Sequence, residues 1–327
     1  MAWRCSRACT PRRPGEEHRD ADPVAVRCAR SLVATRVHRR RGAGLHAEGR
    51  SLGPGVLSVP AAGGGFHIKA AGLLGERGYF AAKTNANFSE NPRRWGLPTI
   101  QGTIVLADAA NGTPLAVIES GSVTALRTGA ATAVAAKFLA RPDARTATIV
   151  GCGVQGEIQL AAITAVLPLQ RVMLFDIDHT RAESLAARAA GKNGVRLEAI
   201  KDLQAALRGS DVCVTCTTAR RAFLQQNDVV PGTFIAAVGA DNPEKQELEP
   251  ALLASATLVV DVLYQCAEIG ELHHALAANL LRREQVHAEL AEVVAGRRPG
   301  PHARGRDHDL RQLRDRAAGR RGRGRGV

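Results

Sequence analysis

A chain of 327 residues with a formal charge of +13 is long enough for about two domains. No uncharged apolar run reaches the ~18 residues of a membrane helix, and the N-terminus lacks the apolar core of a secretory signal. Nor does the charge mark a nucleic-acid binder: residues 1–50 hold 12 Arg against 5 acids and residues 297–327 hold 11 Arg against 3 Asp, whereas the centre, 51–296, has 21 basic and 23 acidic residues.

Residues 1–43 carry no helical or strand period and are expected to be irregular. From Gly44 the pattern becomes orderly, and residues 44–123 are expected to form a first domain on an antiparallel sheet. "GVLSVP" and "GFHIKAAGL" read as strands around a glycine turn, and "GYFAAKTNANF" as a third. "SENPRRWGLPT" reads as a loop, and "GTIVLADAANGTPLAVIES" as a hairpin about Asn111-Gly112. A helix is expected from Thr124 to Leu139, ending before Pro142.

Residues 124–296 then alternate strands and helices. The strands are "ATIV", "RVMLFDID", "VRLEAI", "DVCVTCT", "TFIAAVG" and "ATLVVD"; helices fall at 157–166, 180–190 and 203–207. Continuous apolar strands separated by helices predict a parallel sheet covered on both faces, so the fold class is α/β. "AEIGELHHALAANLL" and "REQVHAELAEVVAG" read as helices, with His273-His274 a helix-surface pair rather than a metal site. Residues 297–327 dissolve into an Arg/Gly-rich tail. Cys213 and Cys216 lie in a strand and read as buried thiols, not a redox or zinc pair; reduced cysteines point to the cytoplasm.

"ATIVGCGVQGE" supplies a chemical motif. Gly151, Gly153 and Gly156 form G-x-G-x-x-G between a strand and a helix, and Asp176 follows 25 positions after Gly151 at the end of the next strand. Glycines there permit a tight turn and close backbone approach, and the helix N-terminus offers free N–H groups to a pyrophosphate. Asp176 can accept hydrogen bonds from ribose hydroxyls, which favours NAD over NADP; Asp178 competes for that role. Val154 and Gln155 within the turn, and Thr217 after a later strand, complete the cofactor-binding set.

The stretches "AAKTNANFSENPRRWGLPTIQGTIVLADAANGTPLAVIES", "TALRTGAATAVAAKFLARPDA", "GCGVQGEIQ" and "VGADNPEKQEL" together resemble the ornithine cyclodeaminase/mu-crystallin family. That resemblance implies a Rossmann-type NAD-binding domain beside an α/β substrate and dimerisation domain, and a homodimer. It implies an enzyme acting with NAD on a small amino or imino acid by cyclodeamination; ketimine reduction, amino-acid dehydrogenation and non-catalytic ligand binding are the alternatives. Arg127 matches the arginine that grips the substrate carboxylate, Lys83 a lysine at the substrate, and Asp241 the general acid/base. Lys69 is a further substrate-site candidate, and Thr128 a cofactor-phosphate candidate.

Two departures stand out. Ornithine cyclodeaminases carry another carboxylate-binding arginine just before the first strand, and "SLGPGVLSVP" has none after Arg50. The family also ends in a strand and helix where this chain reads "DHDLRQLRDRAAGRR". One synonymous back-translation of that string, read one base later, gives ITIFDSSGTALQDV, the phrase expected there. A shifted reading frame is therefore expected over the tail, and the same expectation extends to 1–43.

Overall fold

The computed structural model describes residues 51–192 and 194–301. The expectations for 1–43 and for the tail beyond 301 lie outside the described residues.

Five strands form an antiparallel meander in chain order: β1 (Ser51–Ala61), β2 (Gly64–Leu73), β3 (Tyr79–Asn87), β4 (Ile100–Asp108) and β5 (Pro114–Glu119). The segment read as a loop holds a short helix, α1 (Asn91–Trp95), opened by a proline and closed by Gly96 at φ 63°. In the expected hairpin, Asn111 Oδ1 accepts from Thr113 N (2.9 Å) and Gly112 takes φ 74°. Register places Lys69 opposite Lys83, and Lys83 opposite Ile104. The reverse face carries Leu57, Val59, Phe66, Val105 and Val117, all exposed.

Helix α2 (Ser120–Leu139) starts four residues before the expected Thr124. The Glu119 carboxylate caps it, accepting from Ser122 N (2.8 Å) and from Gly121 N. No loop separates β5 from α2, so the sheet and the helix share a rigid corner.

Next come β6 (Thr146–Val150), α3 (Val154–Thr164), β7 (Arg171–Phe175), α4 (His179–Ala189), β8 (Arg196–Ala199), α5 (Leu203–Arg208), β9 (Val212–Thr215), β10 (Arg220–Leu224), β11 (Phe234–Ala237) and β12 (Gln246–Leu248). Strands β11-β9-β6-β7-β8 pair in parallel in that order. It is the doubly wound order, reversing direction at β6. Alternate residues of single strands feed two separate cores: Val212 and Val214 join Ile149, Leu174 and Leu185, whereas Cys213 joins Leu207, Leu224 and Leu272. Both faces are thus covered, as continuous apolar strands require.

Past β12 the sequence expectations fare worse. "ATLVVD" contributes only β13 (Val259–Val260), paired with β14 (Ala288–Glu289) in a separate small sheet. Strands β10 and β12 form another. Of the two long expected helices only α8 (Glu271–Ala277) and α9 (Leu290–Val294) form, while α6 (Pro250–Ser255) and α7 (Leu263–Cys266) precede both. Gly270, at φ 85°, interrupts the first of the two expected helices. Among the described residues no helix is long and apolar enough to cross a membrane.

Asp211 ties the bottom of the parallel sheet, accepting from Arg145 N (2.8 Å), Thr146 N (3.0 Å) and the Arg141 guanidinium. Asp211→Ala leaves two strand-end N–H groups without acceptors. Stability should fall by about 1–3 kcal/mol, read as a lower urea midpoint at unchanged slope.

Candidate active site

At the C-terminal end of β6 the chain turns through Gly151 at φ 101°. A Cβ there would lie 2.9 Å from Cys216 O, and one on Gly156 would lie 2.2 Å from Gly151 O. The turn therefore demands glycine at both positions. Gly153 is different: it is the N-cap of α3, makes no side-chain cap, and faces open space. The N–H groups of the first turn, Val154 to Gly156, have no acceptor within the helix and sit at its positive end. That cradle fits a diphosphate. Val154, 75% exposed, stands beside it.

Asp176 serves this turn. Its Oδ2 accepts from Cys152 N (2.8 Å) and its Oδ1 from Asp178 N (3.0 Å). Asp178 is committed elsewhere, capping α4 through Thr180 N and Oγ1 and pairing with Arg181. Between them Ile177 is 97% exposed, an apolar side chain left bare next to the turn.

The end of β9 approaches the same turn from the other side. Thr217 gives both N–H (2.7 Å) and Oγ1–H (2.8 Å) to Glu247, a buried carboxylate that also accepts from Gly239 N (2.8 Å). Two residues beyond Gly239, Asp241 is 54% exposed and pairs with Lys245 Nζ at 2.8 Å. The turn of this loop is made by Asn242, whose Oδ1 accepts from Glu244 N and Lys245 N. Asn242, not Asp241, thus caps this loop. Lys245 and Glu247 were missed by sequence reasoning because "NPEKQEL" looks like any polar loop.

A second cluster lies where α2 meets the antiparallel sheet. Lys69 and Lys83 are cross-strand neighbours, an arrangement that like charges disfavour. Lys83 Nζ donates to Thr124 Oγ1 (3.4 Å) on α2. Burial first, then the charges of Arg127 and Lys69, hold the Lys83 amine below the usual lysine range. Three cations thus gather where an anion would relieve them. Thr128 does not offer a proton to this region; its hydroxyl donates to Thr124 O (2.7 Å).

The two clusters share one helix. Below Arg127, α2 packs on α3, so tightly at Gly129 that a Cβ would meet Ile158 Cγ2 at 2.5 Å. The remaining candidates resolve as packing. Cys152, Cys213 and Cys216 are unpaired thiols, and burial pushes Cys152 up to about 12. His273 and His274 are partly buried, not a surface pair: His274 Nε2 contacts Lys245 O at 2.9 Å, because α8 packs under the Asp241 loop. Among the described residues no group of side chains could hold a metal.

Residues 58–309 match the sequence model of the ornithine cyclodeaminase/mu-crystallin family. The chain belongs to this family. Its similar solved structures include an archaeal alanine dehydrogenase dimer with bound NAD (32% identity, 86% of this chain and 81% of that one, TM-score 0.73). Another is the Delta(1)-pyrroline-2-carboxylate reductase of Thermococcus litoralis with NADH and L-proline (27%, 86% and 83%, TM-score 0.71). A third is the iminosuccinate reductase of Paracoccus denitrificans with NAD+ (30%, 86% and 84%, TM-score 0.69). The sequence resemblance and the α/β fold it implied therefore hold for this family member.

Two outcomes follow from the geometry. Gly156→Ala forces the glycine turn apart and should abolish dinucleotide binding while the far-UV circular dichroism stays near wild type. Glu271 accepts from Glu247 N and Leu248 N, and burial, helped by the Glu247 charge, pushes it up to about 7. A carboxyl raised in the folded state binds more protons there than in the unfolded chain. Its contribution is therefore full below about pH 4.5 and falls as pH rises to about 7, by up to ~3 kcal/mol. Thermal melts from pH 5 to 8 should show this decline, and Glu271→Gln should flatten it.

Proposed function

We propose that this chain is an NAD(H)-dependent enzyme that moves a hydride at the α-carbon of a small amino or imino acid. The observation that carries this reading is the gathering of Lys69, Lys83 and Arg127 on the face of α2's sheet, with the same helix packed on the helix that leaves the glycine turn.

Arg127 presents a planar fork suited to an α-carboxylate, and Lys83 adds charge beside it. An anchored carboxylate fixes where the α-carbon lies, so position rather than chemical activation is what these cations supply. The diphosphate would rest on the N–H groups of α3 and the ribose on Asp176, with Gly151, Gly153 and Gly156 giving the backbone room. When bound, the nicotinamide accepts or delivers the hydride. Asp241 takes or returns the proton at the substrate nitrogen, and Lys245 holds its carboxylate in place.

Net reduction or oxidation is favoured over cyclodeamination. "SLGPGVLSVP" lacks the second arginine of the ornithine enzymes. The exposed apolar face opposite the lysines is assigned to pairing with a second copy, the state in which the archaeal relative was described. Free thiols fit a reducing compartment, the cytoplasm.

Cyclic imines and 2-oxo acids with ammonia, screened by NADH absorbance, should give turnover; ornithine should give no proline. Arg127→Lys should lower kcat/KM by about 10- to 100-fold. Asp241→Asn should stop turnover and leave NADH binding intact; retained turnover would remove Asp241 from the mechanism. Substrate affinity should decline with rising pH earlier than an ordinary lysine would allow, because Lys83 loses its proton below the usual range. Calorimetric titration with a carboxylate inhibitor across pH 7–10 checks that sign.

A further inference from the structure

One buried charge has no part in the reaction as derived. Glu247 in β12 is fully buried, and among the described residues no Lys, Arg or His pairs with it. Four donors converge on its carboxylate, two on each oxygen. Thr217 N (2.7 Å) and Thr217 Oγ1 (2.8 Å) reach Oε1; Thr215 Oγ1 (2.7 Å) and Gly239 N (2.8 Å) reach Oε2.

We propose that Glu247 is a positioning residue that couples the two halves of the cofactor site, a role that rests on the functional reading above. Its first oxygen holds Thr217, whose Cγ2 would lie 3.2 Å from a Cβ on Gly151 and so walls the glycine turn. Its second oxygen holds Gly239, two residues before Asp241. One side chain thus sets the distance between the turn that takes the cofactor and the loop that carries the acid/base.

A carboxyl group, with an oxygen for each backbone N–H, suits this arrangement. A glutamine amide has one oxygen, and in either orientation its NH2 would face a backbone N–H, of Thr217 or of Gly239. There is no slack to absorb the mismatch: a Cβ on Gly239 would stand 2.5 Å from the Glu247 carboxyl carbon. The Glu247 backbone is held as well, its N–H donating to Glu271 Oε1 at 2.8 Å.

The test compares full-length wild type with Glu247→Gln, Thr215→Val and Leu207→Ala. Leu207→Ala opens a cavity in the second core at a residue of neither the glycine turn nor the Asp241 loop, and serves as the destabilised control. NADH affinity by fluorescence titration, kcat at saturating cofactor, and hydrogen exchange at the Thr217 and Gly239 amides are measured. In Glu247→Gln, NADH binding and kcat should each fall by about 10- to 100-fold, and both amides should lose protection together. Thr215→Val, which removes one donor that meets neither the turn nor the loop, should shift all readouts in the same direction by less. Leu207→Ala should melt earlier with affinity and both amides unchanged. If Glu247→Gln does not fold, Thr215→Val carries the comparison alone. A folded variant at either position with wild-type affinity, kcat and exchange overturns the positioning role only. Wild type that binds no NADH overturns the functional reading, and the role with it.

Discussion

Everything at this site depends on helix α2 touching two sheets at once. Its first turn grows out of β5 and is pinned by the Glu119 cap, so its N-terminal half cannot pivot away from the antiparallel sheet. Its middle is clamped to α3 at Gly129, where even one added carbon would collide with Ile158. Arg127 lies between these two fixed points. Its distance from the glycine turn is therefore set by backbone packing rather than by a flexible linker. Small residues along the buried stripe, Ala125, Gly129, Ala133 and Ala136, are what allow the helix to lie so close.

The charges are separated in a way that stability alone does not explain. Among the described residues, Lys69, Lys83 and Arg127 are gathered with no carboxylate pairing them, while buried Glu247 and half-buried Glu271 sit at the other side with no cation paired to either. Each grouping costs folding energy, since like charges repel and buried ions lose their hydration. Such costs persist where they serve a ligand. The proposed α-amino or imino carboxylate would answer the first grouping with its own negative charge. Backbone and hydroxyl donors answer the second, and the loop ends they bring together are the ones that carry Thr217 and Asp241.

Most of this was legible in the sequence where a residue's role is local. The glycine turn, the parallel strands and the acidic residue after β7 all follow from spacing, and "ANGT" fixes its own hairpin. Choosing between Asp176 and Asp178 was not legible, because the choice turns on which carboxylate caps α4. The early start of α2 was hidden because Glu119 belongs by pattern to β5 and by chemistry to the helix. The region after β12 was misread for a different reason. Short elements such as β13 and β14 exist only because each finds the other across the intervening α7 and α8, and periodicity within either carries no trace of that. Glu247 was invisible for the same reason: its four donors come from three residues in two other segments.

The preference for NAD over a 2′-phosphorylated cofactor then has a concrete basis. Asp176 already accepts one backbone N–H on each oxygen, from Cys152 and Asp178. A carboxylate has further lone pairs on both oxygens, so ribose hydroxyls can donate to it without displacing the bonds that hold the turn. The site is formed before the ligand arrives, and binding need not undo it. A 2′-phosphate has no proton to give at neutral pH and brings negative charge toward Asp176, which pairs with no cation among the described residues. Arg181, the nearest candidate in sequence, is drawn to Asp178 at 3.4 Å. Relieving that repulsion would require Arg181 to leave Asp178, whose own place is fixed by its cap on α4.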